Sequence, residues 1–310
     1  MNNNQEKITE TLSEITELLS CKDSYQGLFH QHKEGEPIPS ANELLKIVNL
    51  LRSIIFPGYY GKSSICCTTL KYHTGVNLEK VYDLLTKQIY AGICFGSHLN
   101  HEIGDEKCQV CGEKEKGNAR TICNQFIKKL PYIRQILATD VLAAYNGDPA
   151  ATSYAEIIAC YPAIKAITNY RIAHELYEMG VPLIPRMITE MAHSETGIDI
   201  HPAAKIGQAF SIDHGTGVVI GATSIIGKHV TLYQGVTLGA LSFPLDDQGN
   251  PIKGIERHPI LEDNVICYSN STILGRVTIG RDAIIGGNIW ITGDVAQGAK
   301  IVQPKANKNL

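Results

Sequence analysis

Apolar positions recur at two different periods along this chain, and the change falls near residue 195. Before it the spacing is helical, as in Leu44, Leu45, Val48, Leu51, Ile54 and Ile55, and again in Val81, Leu84, Leu85 and Ile89. The pattern predicts a stack of helices over residues 1–195. Breaks fall at "GEPIPSANE", where Ser40 can cap a helix, at "GDEKCQVCGEKEKGNAR" and at "NGDPAAT". In the last of these, Asp148 followed by Pro149 reads as a helix start. One helix is then expected through "SYAEIIACYPAIKAITNYRIAHELYEMG", bent near Pro162 and ending at Gly180.

From residue 198 the period becomes six. Ile200, Ile206 and Ile212 are followed by Ile220, Ile226, Leu232 and Leu238, then by Leu261, Cys267, Ile273, Ile279, Ile285 and Ile291. Four residues after most of these anchors stands a small or β-branched residue, and glycine follows several directly, as in "IGQ", "IGA" and "IGK". Neither a helix nor an ordinary sheet has this period. A chain that turns a corner every six residues stacks triangular coils, with anchors pointing inward, and the region is expected to form a hexapeptide-repeat parallel β-helix. Each coil is then held mainly by its neighbours. On this reading Cys267 is an inward anchor, with its thiol serving as packing.

Two interruptions break the ladder. Two extra residues enter between Ile212 and Ile220, and a polar insertion, "GALSFPLDDQGNPIKGIERHPI", separates Leu238 from Leu261. Insertions in solenoids emerge as surface loops and often carry the binding face. Asp213 and His214 stand at the first; Arg257 and His258 close the second, an extruded loop over 240–257.

Charge narrows the partners. Lys plus Arg is 28 against 31 for Asp plus Glu, without the basic footprint of a nucleic-acid binder. No apolar run approaches the roughly 20 residues of a membrane span, and the opening stretch lacks a secretory signal, so a cytoplasmic protein is expected. Nine cysteines in such a chain read as reduced thiols. One spacing stands out: Cys108 and Cys111 in "CQVC" read as free thiols in a polar loop, with a clip or metal site completed by His98, His101 or Cys123 as the alternative. "GYYGKSS" at 58–64 fails as a phosphate loop, because Phe56 occupies the first glycine position.

"DIHPAAKIG" at 199–207, "DHGTGVVIG" at 213–221, "VTLGA" at 236–240 and "ERHPIL" at 256–261, together with "GDP" at 147–149, resemble serine O-acetyltransferase, the first committed enzyme of cysteine biosynthesis. The resemblance implies an α+β chain: an α-helical N-terminal domain over 1–195, then a left-handed parallel β-helix over 196–310 with a short tail. Left-handed winding would be an exception to the usual right-handed crossover. Also implied are acetyl-CoA as co-substrate, no metal, L-serine as acceptor, and homotrimers or dimers of trimers. His214 matches the family's general base and Asp199 the carboxylate that orients it. Asp148, Asp213, Arg257 and His258 match residues that hold serine; Ala240, Ser269 and Gly287 fall where the family's backbone touches coenzyme A. Many members dock a C-terminal isoleucine into O-acetylserine sulfhydrylase; this chain ends in Leu310.

The chemistry fits those residue types. A serine hydroxyl attacking a thioester needs a base, and an imidazole supplies one near neutral pH. Asp199 lies fifteen residues before His214, close to one turn of three six-residue sides, which puts the two on neighbouring coils. A donor to the oxyanion, His258 or a backbone N–H near Ala240, completes the set. The planar fork of Arg257 suits a carboxylate, and Asp148 and Asp213 suit an ammonium. Three rivals share the fold: an O-acetyltransferase for another hydroxyl amino acid or a sugar, a zinc hydratase like the β-helix carbonic anhydrases, and a non-catalytic scaffold. The hydratase requires three converging histidines, to be drawn from His201, His214, His229 and His258.

Overall fold

A computed structural model of the chain describes residues 3–25, 28, 35–61, 65–98 and 111–304. Cys108, His101 and Leu310 lie outside the described residues, as does the side chain of His98. The N-terminal region is helical: α1 (Asn3–Ser20), α2 (Ala41–Ile55), α3 (Leu70–His98), α4 (Glu113–Gly147), α5 (Tyr154–Cys160), α6 (Pro162–Glu178) and α7 (Ile184–Thr196). Ser40 caps α2 as its position suggests, its hydroxyl accepting from the Glu43 N–H at 3.3 Å. The face of α2 formed by Leu44, Val48, Leu51, Ile54 and Ile55 is buried, whereas Leu45 points outward.

Two local expectations are corrected. The single bent helix through Pro162 is two helices, because the residue before a proline is driven out of the helical region: Tyr161 sits at φ −78°, ψ 118° and Pro162 opens α6. Asp148 starts no helix. It ends α4, while Ser153 caps α5 by accepting from the Glu156 N–H. The Asp148 carboxylate instead closes a local turn, Oδ1 accepting from the Ala150 N–H at 2.8 Å.

Among the described residues fourteen short strands follow, grouped by hydrogen bonding into three parallel faces. The first face carries β1 (Asp199–Ile200), β4 (Val219–Ile220), β7 (Thr237–Gly239), β10 (Thr272–Leu274) and β13 (Trp290–Ile291). The second carries β2 (Lys205–Ile206), β5 (Ile225–Ile226), β8 (Ile260–Leu261) and β11 (Thr278–Ile279). The third carries β3 (Ser211–Asp213), β6 (Thr231–Tyr233), β9 (Ile266–Cys267), β12 (Ile284–Ile285) and β14 (Lys300–Ile301). Register places anchor on anchor: Ile200 on Ile220 on Leu238, Ile206 on Ile226 on Leu261, Ile212 on Leu232 on Cys267. All thirteen anchors are buried. Beyond Ile291 the six-residue spacing lapses, yet Val295 still bridges Ile279 and Ile301 pairs with Ile285.

The helices close the first coil, as the open end of a solenoid requires. From α6, Tyr170 Oη donates to the Ala204 carbonyl at 2.6 Å, and Arg171 donates to the carbonyls of Ile206 and Gly207, each at 2.6 Å. From α4, Asp140 accepts from Arg171 Nε at 3.1 Å and from the Phe210 N–H at 2.9 Å, and Thr139 accepts from the Ala209 N–H at 2.9 Å. This pinning sets the position of Asp148. Eight residues at 1.5 Å carry α4 about 12 Å past Asp140, while three residues at 3.3 Å carry β3 about 10 Å past Phe210. Helix end and strand end therefore meet, Asp148 beside Asp213. No helix among the described residues is long and apolar enough to cross a membrane.

Candidate active site

The first interruption forms the edge between the third and first faces. A small cleft there is lined by Asp148, Tyr161, Asp213 and Tyr233, among others. Tyr161 Oη donates to Asp148 Oδ2 at 2.5 Å. That bond, with the Ala150 N–H, holds the Asp148 carboxyl below its usual range; the same bond and burial push the Tyr161 phenol up to about 12. Tyr233 stacks on Tyr268, ring centroids 4.9 Å apart. His214 is 73% exposed, with Nε2 3.9 Å from Asp213 Oδ1.

His214 has φ +57°, a rare conformation for a residue with a Cβ. Elsewhere Ala209, His229, Asn264, Asn270, Asp282 and Asn288 turn solenoid corners at φ +56° to +61°, each three residues after an anchor, whereas His214 stands two after Ile212. The repeat's own corner here is Gly217, at φ +80°, whose N–H donates to the Gly197 carbonyl at 2.8 Å; His214 and Gly215, at φ +57° and +97°, belong to the insertion. What distinguishes this corner is the side chains it gathers.

The second interruption lies on the edge between the first and second faces. Its loop folds back on itself, with Leu245 bridged to Pro251 and Asp246 Oδ1 accepting from the Gln248 and Asn250 N–H groups. Where the loop rejoins the coil, Thr223 and Arg276 fix it. Thr223 Oγ1 accepts from the N–H groups of Arg257 (3.0 Å) and His258 (3.1 Å). Arg276 donates to the carbonyls of Thr223 and His258 and to Glu256 Oε2.

His258 is buried on Gly221, where a Cβ would stand 2.0 Å from its Cδ2 and 2.2 Å from its Nε2. Its Nδ1 accepts from the Thr223 N–H (3.1 Å) and faces the Thr223 hydroxyl at 2.8 Å. The proton of the neutral ring is thereby assigned to Nε2. Burial, then the charges of Arg257, His201 and Arg276, lower the imidazole to about 4, so at neutral pH it is an uncharged N–H donor. Arg257 holds its place through its backbone, and no hydrogen bond or ion pair of its guanidinium is found among the described residues.

Asp199 stands on the first face with its carboxylate toward Arg186 Nη1 at 3.4 Å. Among the described residues no hydrogen bond joins it to His214; the carboxylate nearest that ring is Asp213. Ser269 and Gly287 are stacked on the same edge as His214, the Asn288 N–H donating to the Ser269 carbonyl at 2.9 Å. Ala240 lies where the extruded loop leaves the first face, on the edge of His258. Cys267 is an inward anchor whose thiol burial pushes up to about 12. The histidines are dispersed: His201 and His258 share one edge, His214 and His229 stand on the other two, and no group of three histidines converges among the described residues.

Over 267 residues, 86% of its length, the chain is 47% identical to "Serine acetyltransferase, plasmid" of Synechococcus elongatus, covering 82% of that protein. Serine acetyltransferase isoform 3 of Entamoeba histolytica, solved in complex with cysteine, aligns over 97% of this chain and 95% of its own at 30% identity, TM-score 0.70. The chain belongs to the serine acetyltransferase family. Serine acetyltransferase 1 of the same organism, in complex with L-cysteine, covers 92% of this chain and 94% of its own at 34% identity and the same TM-score. No family model matches the chain. Serine acetyltransferases are acyltransferases, and the helical region and parallel solenoid of about five turns here match the left-handed β-helix of their structures. Tyr161, Thr223 and Arg276, which support these residues, stand in no chemical motif, and Gly221 closes the "DHGTGVVIG" stretch without a sign of its role; each acts through a neighbour distant in sequence.

Proposed function

We propose that this chain transfers the acetyl group of acetyl-CoA to the hydroxyl of L-serine, giving O-acetylserine and CoA. The observation that carries the reading is the pair of prepared edges: an exposed imidazole beside two carboxylates on one, and an uncharged imidazole N–H beside an arginine on the other. His214 takes the proton of the serine hydroxyl as that oxygen attacks the thioester carbonyl. The Nε2–H of His258 meets the negative charge that develops on the carbonyl oxygen. As the tetrahedral adduct collapses, the C–S bond breaks and the thiolate takes the proton from the His214 imidazolium. Asp148 and Asp213 hold the serine ammonium and Arg257 its carboxylate. Asp199 orients the imidazole once bound serine has turned it toward the first face; the exposure of the ring leaves it free to rotate, and such bonds commonly tighten only in the substrate complex. Ala240, Ser269 and Gly287 contact the coenzyme through their backbone. The buried, protonated Cys267 supports direct transfer, without an acyl-enzyme.

Within one chain the two edges are separated by the width of the first face, so the full set assembles only when the His214 edge of one copy meets the His258 edge of another. A homotrimer does this three times with one kind of contact. Thiol release from acetyl-CoA with a panel of hydroxyl acceptors tests the function. Serine is expected to be preferred, and His214→Ala to lose at least about a hundredfold. Equal rates for parent and variant would remove His214 from the mechanism, and a better acceptor would replace serine.

A further inference from the structure

Away from the acetyl-transfer residues, three segments of the helical region converge on two thiols and a carboxylate. Glu36 precedes α2, Cys94 lies in α3, and Cys111 stands two residues before α4. Cys94 and Cys111 are 1% and 8% exposed, and Glu36 is half-buried. Their donor atoms, two Sγ and a carboxylate oxygen, all lie within 4.8 Å of one another. The cluster is braced by its surroundings: the Cys111 N–H donates to Glu36 Oε1 at 2.8 Å, and Tyr90 Oη donates to the Cys111 carbonyl at 2.9 Å. The alternative ligand considered from sequence, Cys123, is elsewhere, its Sγ 3.6 Å from the Tyr82 carbonyl.

We propose that Glu36, Cys94 and Cys111 supply three donors, with a water as the fourth, to one divalent cation of borderline-soft character, zinc above all, which clamps the helical region. Two thiolates and a carboxylate are a zinc-type donor set, and zinc–sulfur and zinc–oxygen distances of about 2.3 and 2.1 Å put tetrahedral donors roughly 3.5–3.8 Å apart. The observed spread contracts to that geometry with side-chain shifts of about 1 Å. A bound cation deprotonates coordinating thiols outright, so thiols this deeply buried serve as ligands without another cationic partner. A second grouping, Glu190, His193 and Asp199, differs in kind, since Arg186 already supplies positive charge to Glu190 and Asp199.

The test is metal content of the full-length chain, purified without chelator, by inductively coupled plasma mass spectrometry, with cobalt(II) substitution as an optical readout. About one zinc per chain is expected, released when the thiols are modified, and the cobalt form should show thiolate-to-metal charge transfer. Cys94→Ser and Cys111→Ser lose the ion, Glu36→Gln weakens its retention against a competing chelator at least about tenfold, and Cys160→Ser keeps it. If the serine variants fail to fold, the cobalt spectrum and the Glu36→Gln competition decide. A folded parent that stays below about a tenth of an ion per chain after incubation with equimolar zinc overturns the proposal. So does a Cys94–Cys111 disulfide found in the protein as purified, or zinc retained unchanged by both serine variants.

Discussion

Gly221 has no side chain, and His258 stands where one would begin. A methyl group at 221 forces the ring away from Thr223, and with it the Nε2–H proposed to meet the oxyanion. Removing one such donor typically costs 10²–10³ in rate; for Gly221→Ala a fall of at least about tenfold in serine-dependent thiol release is expected, with the far-UV dichroism unchanged. A parent-like rate would show that the ring has no need of its seat. In the sequence Gly221 reads only as corner relief, because the insertion sets His258 37 residues after it and no periodicity spans that gap. Asp148 was legible as polar and local, but Asp-Pro fits a helix start as well as the turn that ends one. Only the docking of α4 on β3 decides between them.

A buried ion pair stands at the centre of the junction of α4, α6 and the first coil. Arg171, 5% exposed, binds Asp140, 0% exposed, and both also satisfy backbone groups of the coil. Burial pushes the Asp140 carboxyl up, and Arg171 and the Phe210 N–H pull it back. Arg171→Met leaves that carboxylate alone in the interior, and a loss of about 3–5 kcal/mol in urea unfolding is expected. The double variant Arg171→Met with Asp140→Asn should recover part of it; a loss below about 1 kcal/mol for the single change would contradict the pinning. Elements of strong period were plain from sequence, the thirteen solenoid anchors above all, because inward and outward positions of a coil must differ in polarity. Cys267 shows how far this reaches, a thiol recognised as packing from its place in the ladder alone. The last coil was not plain, since Val295 and Ile301 keep register after the spacing has lapsed. Tertiary pins such as Arg171 leave no periodic trace.

At the scale of the molecule, the two interruptions emerge on two different edges of the prism. Neither edge alone holds the proposed base, the proposed oxyanion donor and the partners proposed for both charges of serine. The account therefore turns on copies sharing a site, the His214 edge of one chain against the His258 edge of the next. Mixing chains tests this most directly. His214→Ala and His258→Ala, each inactive alone, are combined in equal amounts, dissociated and reassembled, and serine-dependent thiol release is measured. If sites form between chains, about a quarter of them regain both histidines, and the mixture recovers roughly a quarter of the parent activity. If each chain carries its own site, the mixture stays as inactive as its components, and the shared-edge account is wrong.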